Sequence, residues 1–296
     1  MIRLLLAVVL IALTAAPAGA AGTFGSGRYE GRGYALFMPS SPPAGPLIVA
    51  LHGCWQTPED FALGTQLNEV AERRGLAVVY PAQSRRDNAY RCWNWFATGP
   101  SARSGEVGEI LALAKHVQAE RGLHDPHLVV LGFSAGGFMA VNLACAAPRL
   151  VSGIGVMAGG AYRCGSGATG AIQCMRGAGA DPGVSASACL RTAGVSTLSL
   201  RASLWQGTGD AVVSPVNLSA LETMLARAVG AVSATTEQAE GAVHGVHRDA
   251  RNRPVLETWL VAGMGHAWSG GDPRGSHTFP PGPPATERML EFLLGR

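Results

Sequence analysis

The chain has 296 residues, of which 47% are hydrophobic and 15% charged, enough apolar material for one full α/β core. Its formal net charge is +3 and its basic residues are almost all scattered arginines, with doublets only at Arg73-Arg74 and Arg85-Arg86, so there is no electrostatic case for nucleic acid. Six cysteines occur without a Cys-x-x-Cys or Cys/His cluster, which points to disulfides and away from metal or other cofactors.

Met1-Ile2-Arg3, an apolar run over residues 4–16 broken by Thr14, and Pro17-Ala18-Gly19-Ala20 describe a cleavable secretory signal over residues 1–20. The run is too short for a comfortable membrane span, and nothing later is long and apolar enough to anchor the chain. A single exported domain over residues 21–296 is expected, monomeric and with no membrane partner after cleavage; without Arg3 its charge is +2.

Residues 21–33 are Gly-rich and read as a loose lead-in. An outer strand follows at 34–38, then a fully apolar central strand at 47–51 that ends in His52-Gly53-Cys54-Trp55-Gln56. Thr57 caps an apolar-periodic helix running to Arg74. A strand at 76–81 precedes a long loop carrying Cys92-Trp93-Asn94-Trp95-Phe96, and the 3.6-residue period of 104–121 predicts a helix. The segment 161–196 lacks a strand pattern, holds Cys164, Cys174 and Cys189, and reads as an insertion over the active-site face. Strands are expected at 151–157, 200–205, 244–249 and 255–261, with helices at 218–229 and 285–294. This alternation implies the α/β class, a mostly parallel sheet covered on both faces.

Between an apolar strand at 128–131 and a helix at 135–147 stands Gly132-Phe133-Ser134-Ala135-Gly136. In a Gly-x-Ser-x-Gly turn the small residues let strand and helix pack closely while the serine hydroxyl stands free at the sheet edge. Ser134 is thus the candidate nucleophile. It needs a base, and the base needs an orienting carboxylate. Asp210 follows the strand at 200–205, and His266 follows the strand at 255–261, the positions where such partners belong. The order Ser134, Asp210, His266 is that of α/β-hydrolases. Asp249 and Asp272 are alternative acids. His116, His124, His127, His244, His247 and His277 read as exposed or hydrogen-bonded histidines, and His244-x-x-His247 has no third metal ligand. The backbone N–H groups of Cys54 and Ala135 are placed to hold an oxyanion, and His52 to fix their loop.

These blocks, together with Gln206-Gly207-Thr208-Gly209-Asp210 and Gly263-Met264-Gly265-His266-Ala267-Trp268-Ser269-Gly270-Gly271, make the chain resemble the polyhydroxybutyrate depolymerase-type esterases, secreted α/β-hydrolases related to feruloyl and acetylxylan esterases. The resemblance spans nearly the whole mature chain. It implies a serine esterase with Ser134, Asp210 and His266 as nucleophile, acid and base, an ester substrate (a hydroxyalkanoate oligomer or a carbohydrate ester) and no cofactor. Phe133 departs from the small aliphatic residue usual there, and Cys164, Cys174 and Cys189 look peculiar to a subgroup. Secreted depolymerases of solid polymer commonly add a polymer-binding domain after the catalytic one. This chain stops after its last helix, so slow erosion of crystalline polymer is expected. A non-catalytic binding protein on the same fold is the remaining rival, against which the intact triad argues.

Aromatic residues crowd the segments after the strand ends, and Trp55, Trp93, Trp95, Phe133 and Trp268 are expected to line an apolar cleft for neutral short-chain esters. A Cys54–Cys92 disulfide is expected, because the loop bearing Cys92 must return over the strand that ends near Cys54. Cys145, near the far end of its helix, is expected to be buried and unpaired.

Overall fold

The computed structural model describes residues 22–97 and 104–295. The expected signal lies outside them. The described residues begin with a hairpin of an exposed strand, β1 (Thr23–Tyr29), and a largely buried one, β2 (Arg32–Met38), followed by β3 (Leu47–Leu51), α1 (Pro58–Thr65), α2 (Leu67–Arg74) and β4 (Val78–Pro81). Next come α3 (Gly105–Glu120), β5 (Leu128–Phe133), α4 (Ala135–Ala146) and β6 (Val151–Met157), then α5 (Gly167–Met175) and α6 (Pro182–Ala193). The last third holds β7 (Arg201–Gly207), α7 (Val216–Val229), β8 (Ala231–Ala239), β9 (Ala242–Asp249) and β10 (Pro254–Val261), a small pair β11 (Trp268–Ser269) and β12 (Thr278–Phe279), and α8 (Ala285–Leu294).

The ten-stranded sheet has the order β1-β2-β4-β3-β5-β6-β7-β10-β9-β8. Its six inner strands, β4 to β10 in that order, are parallel, and both margins are antiparallel hairpins. Every residue of β3 and β5 is buried, as expected of strands covered on both faces. Alternation sends Leu128 and Val130 to the face closed by α3, α4, α6 and α7, and Val129, Leu131 and Phe133 to the face closed by α1, α2 and α8. Among the described residues no helix is long and apolar enough to cross a membrane.

Several expectations require correction. Residues 23–29 are a strand and not a loose lead-in, and β8 was not anticipated. Both are exposed margin strands that bury no continuous face and so show no apolar period. The helix expected to run unbroken to Arg74 is two helices, interrupted where Gln66 takes a left-handed φ of 54°. Cys145 is not a free thiol: α6 packs against α4, and Cys145 is bonded to Cys189. Cys164 pairs with Cys174, and Cys54 with Cys92 as expected. Within 161–196, α6 packs on α4 and α7 at the flank of the sheet, while α5 meets the loops at the strand ends, through Gly167 N–H to Phe96 O and Ser214 N–H to Met175 O.

Candidate active site

The turn between β5 and α4 is set by backbone contacts that leave no room for side chains. A Cβ on Gly132 would lie 2.2 Å from the carbonyl oxygen of Gly136, and one on Gly136 would lie 2.1 Å from that of Leu51. Ser134, between them, has φ 53° and ψ −121°, a strained conformation for a non-glycine residue that persists because its surroundings over-determine it. Ser134 N–H donates to Met157 O, and Ser134 O accepts from Phe138 N–H. The contacts at Leu51 and His52 also bring the start of α4 against the end of β3. Ala135 is the first residue of α4, where a backbone N–H has no intrahelical acceptor.

Asp210 and His266 come together by a similar close approach. A Cβ on Gly207, at the end of β7, would sit 2.1 Å from Met264 O, and Gly209 N–H donates to that same carbonyl. The loops after β7 and β10 are thereby stitched together, with Gly263 N–H bonded to Thr208 Oγ1. His266 Nδ1 lies 2.8 Å from Asp210 Oδ2 and His266 Nε2 lies 2.9 Å from Ser134 Oγ. A carboxylate only accepts, so Nδ1 carries the proton and Nε2 presents its lone pair to the serine hydroxyl.

The Asp210 side chain is fully buried. Burial pushes its carboxyl upward, but the hydrogen bond and charge of His266 and the N–H groups of Val213 and Val212 hold it below the usual aspartate value. Gln206 Nε2 donates to Asp210 Oδ2 and to Val213 O, fixing the carboxylate from behind. The alternative acids stand elsewhere: Asp249 binds Arg253, and Asp272 is held at about 2 by its hydrogen bonds with Arg274. His244 is bonded to Glu257 and Glu237, and His247 to Glu222.

The loop after β3 is braced on three sides. The Cys54–Cys92 disulfide ties it to the loop before α3. His52 accepts at Nε2 from Gln83 N–H and donates from Nδ1 to Gly53 O. Gln56 accepts from Gly53 N–H and donates from Nε2 to Asp60 Oδ2 and to Ser276. Neither Gln56, Gln83 nor Gln206 received a role from the sequence. For Gln206 the available signal was a polar residue at the end of a central strand, four residues before the candidate acid.

The expected aromatic cleft is corrected on most positions. Trp93 is wholly buried and donates from Nε1 to His52 O, and Trp268 is buried against Phe61 with its Nε1 on Thr286 Oγ1, so neither reaches a substrate. Trp95 stacks on Phe138 and lines a cavity with Arg32, Glu106 and Tyr162 that none of Ser134, Asp210 and His266 lines. Phe133 is buried, its ring 4.8 Å from that of His266, and backs the imidazole. Trp55 alone of the five is exposed, at 58%, packed edge-on against exposed Tyr90.

The family model described as esterase PHB depolymerase matches residues 32–247, a span that holds Ser134 and Asp210 and ends before His266. The chain belongs to this family. It is 32% identical over 237 residues to poly(3-hydroxyalkanoate) depolymerase C of Paucimonas lemoignei, covering 77% of the chain and 56% of that protein. It is 34% identical over 137 residues to poly(3-hydroxybutyrate) depolymerase of Ralstonia pickettii, covering 42% of the chain and 28% of the relative. Feruloyl esterase B of Thermothelomyces thermophilus is 30% identical over 126 residues, 42% of each chain. The chain thus spans about half, or less, of the length of these curated relatives. Among solved structures, acetyl xylan esterase from Aspergillus awamori superposes with a TM-score of 0.69 at 18% identity, over 83% of this chain and 94% of that one. A feruloyl esterase module from Clostridium thermocellum gives 0.53 at 14% identity, over 83% and 82%. At such identities these two show the fold, that of the α/β-hydrolases to which the PHB depolymerase-type esterases belong.

Proposed function

We propose that the chain is an exported serine esterase that hydrolyses short-chain carboxylic esters, with oligomers of 3-hydroxybutyrate-type acids as the leading substrate. The reading rests above all on the continuous line Ser134 Oγ–His266 Nε2 and His266 Nδ1–Asp210 Oδ2, at 2.9 and 2.8 Å. In this reading residues 1–20 are removed as a signal, and residues 21–296 are the catalytic domain.

His266 takes the Ser134 proton as Oγ attacks the ester carbonyl. The N–H groups of Cys54 and Ala135 receive the oxyanion; one such donor is worth ~3 kcal/mol in the transition state. His266 then protonates the leaving alcohol, and in the second half-reaction it activates water to free the acid and restore Ser134. Asp210 holds the imidazole tautomer and stabilises its charged form. Three disulfides suit an oxidising compartment, which supports export. The depolymerase relatives support hydroxyalkanoate esters, and the exposed Trp55–Tyr90 pair offers apolar contact at the rim.

The relatives named feruloyl esterase B favour a second reading, an esterase of plant-wall aryl or acetyl esters. A side-by-side rate panel on soluble hydroxybutyrate oligomers, methyl ferulate and acetylated xylan separates the two. Rates highest on the oligomers support the first reading, and a methyl ferulate rate far above them moves the assignment to the second. A fluorophosphonate probe should label Ser134 alone. Labelling that survives in Ser134→Ala removes both readings.

A further inference from the structure

His277 is exposed, within what its sequence context leads one to expect, and its ring forms a triangle with the rings of Phe133 and His266, with centroids 5.8 Å from Phe133 and 6.3 Å from His266. Among the described residues neither ring nitrogen has a hydrogen-bond partner, so one N–H is available to a ligand in either tautomer.

The ring is presented by a backbone that is held and not loose. His277 has φ 54°, a left-handed conformation that few non-glycine residues adopt but that histidine tolerates better than most. Its carbonyl accepts from Trp268 N–H at 2.7 Å, which ties it to the segment directly after His266. Ser276 N–H donates to Asp60 Oδ1, and Gln56 Nε2 donates to Ser276 O. Gly275 lies so close to α1 that a Cβ there would stand 2.3 Å from Gly64 Cα. Four contacts thus hold the backbone that carries a ring with no hydrogen-bond partner among the described residues, the arrangement of a residue kept for something outside the protein.

The direction of the reaction says which part of a substrate it meets. The acyl carbon sits at Ser134 Oγ, and the leaving oxygen must come within about 3 Å of His266 Nε2 to be protonated. A ring flanking His266 therefore faces the alcohol side. In an ester of a 3-hydroxy acid the next carbonyl carbon is three bonds from the leaving oxygen, roughly 4 Å away when extended. With the His266 and His277 ring centroids 6.3 Å apart, a carbonyl at that distance from the leaving oxygen comes within reach of the His277 ring.

We infer that His277 is a specificity-determining residue that donates a hydrogen bond to the carbonyl oxygen of the alcohol-side unit of a 3-hydroxyacyl ester. The inference rests on the serine-esterase reading above and names the substrate feature that reading leaves open.

Two esters with the same acyl group and the same branched alcohol skeleton test it: methyl 3-(butanoyloxy)butanoate, followed by release of methyl 3-hydroxybutanoate, and sec-butyl butanoate, which lacks the second carbonyl. One hydrogen bond predicts a kcat/KM ratio of about ten in favour of the first ester. In His277→Phe, which keeps a ring and removes the donor, the ratio should fall to near one. In His277→Asn, which keeps a donor and tolerates the left-handed backbone, part of the preference should return. A wild-type ratio near one, or an unchanged ratio in a His277→Phe protein of unchanged melting temperature, overturns the inference. If His277→Phe does not fold, the His277→Asn and wild-type ratios still decide: equal ratios near one sink it. Wild-type protein that hydrolyses neither ester and takes no fluorophosphonate label instead shows that the esterase reading itself has failed.

Discussion

His52 Nδ1 stands 2.7 Å from the carbonyl oxygen of Gly53, the carbonyl of the same peptide unit whose N–H belongs to Cys54. Holding that oxygen fixes the plane of the peptide and so the direction in which the Cys54 N–H points. Because Gln83 N–H occupies Nε2, the ring is neutral with its proton on Nδ1. Burial lowers the His52 pKa to about 4, against 6.5 for the free side chain.

A pH dependence of stability follows. Between about 4 and 6.5 the unfolded chain binds the proton that folded His52 refuses, so stability rises with pH across this window. It is fully present above 6.5 and is lost as pH falls toward 4, by up to about 3 kcal/mol from this group. Denaturant midpoints for wild type and His52→Gln should show a steeper acid limb in the wild type. Parallel limbs would place the acid sensitivity elsewhere.

The Cys54–Cys92 bond closes a sequence separation of 38 residues. The loop-entropy relation gives ~4 kcal/mol for a bridge of that span. The Cys54→Ala/Cys92→Ala double variant should lose stability of that order. It should also lose ester turnover, because the loop bearing Cys54 then keeps only hydrogen bonds, such as Trp55 N–H to Tyr90 O, in place of its covalent tie. Turnover at the wild-type level in a destabilised double variant would show that the loop keeps its shape unaided.

Gln206 offers a subtler test of the acid. Gln206→Leu keeps the bulk in β7 but removes the donor to Asp210 Oδ2 and leaves Val213 O unpaired. A lowered kcat of roughly ten- to a hundredfold with little change in KM is expected, since only the orientation of the imidazole is disturbed. Asp210→Asn should be far more damaging, ~10⁴-fold, because the wrong tautomer is then held. Near-normal turnover in Asp210→Asn would direct attention to another carboxylate.

Much of this architecture can be read in the sequence because the inner strands are continuous apolar runs, and because Gly132, Ser134 and Gly136 mark the one turn that strand and helix must share. The positions of Asp210 and His266 could be read for a related reason: both follow strand ends. Direction could not. Trp93 and Trp268 follow strand ends too, but their side chains turn inward to His52 O and Thr286 Oγ1, which no periodicity records. The Cys145–Cys189 bond was hidden because it depends on where α6 packs, a tertiary fact. Peptide mapping of non-reduced protein should recover that pair, and alkylation of Cys145 would remove it. Nothing in the sequence separates His277 from the other histidines, since only the fold sets it beside His266.

The glycines of the two site motifs should differ sharply in what they tolerate. At Gly132 a methyl group would overlap the Gly136 carbonyl and come within 2.7 Å of Gly137 N, and both neighbours are backbone of the turn that holds Ser134. Neither can move without shifting the nucleophile, so Gly132→Ala should cost several kcal/mol, at or beyond the ~1–3 kcal/mol usual for overpacking, and give protein that folds poorly or is not labelled by fluorophosphonate. Gly265 sits directly before His266 in an equally marked motif, yet a Cβ there meets nothing within 4 Å and its φ lies outside the left-handed range. Gly265→Ala should therefore change stability by less than about 1 kcal/mol and leave the labelling rate close to wild type. Melting temperature and labelling rate measured on both variants decide the matter. A Gly265→Ala protein as damaged as Gly132→Ala would mean that this glycine serves the motion or entry of substrate, and that the steric account of the second motif is wrong.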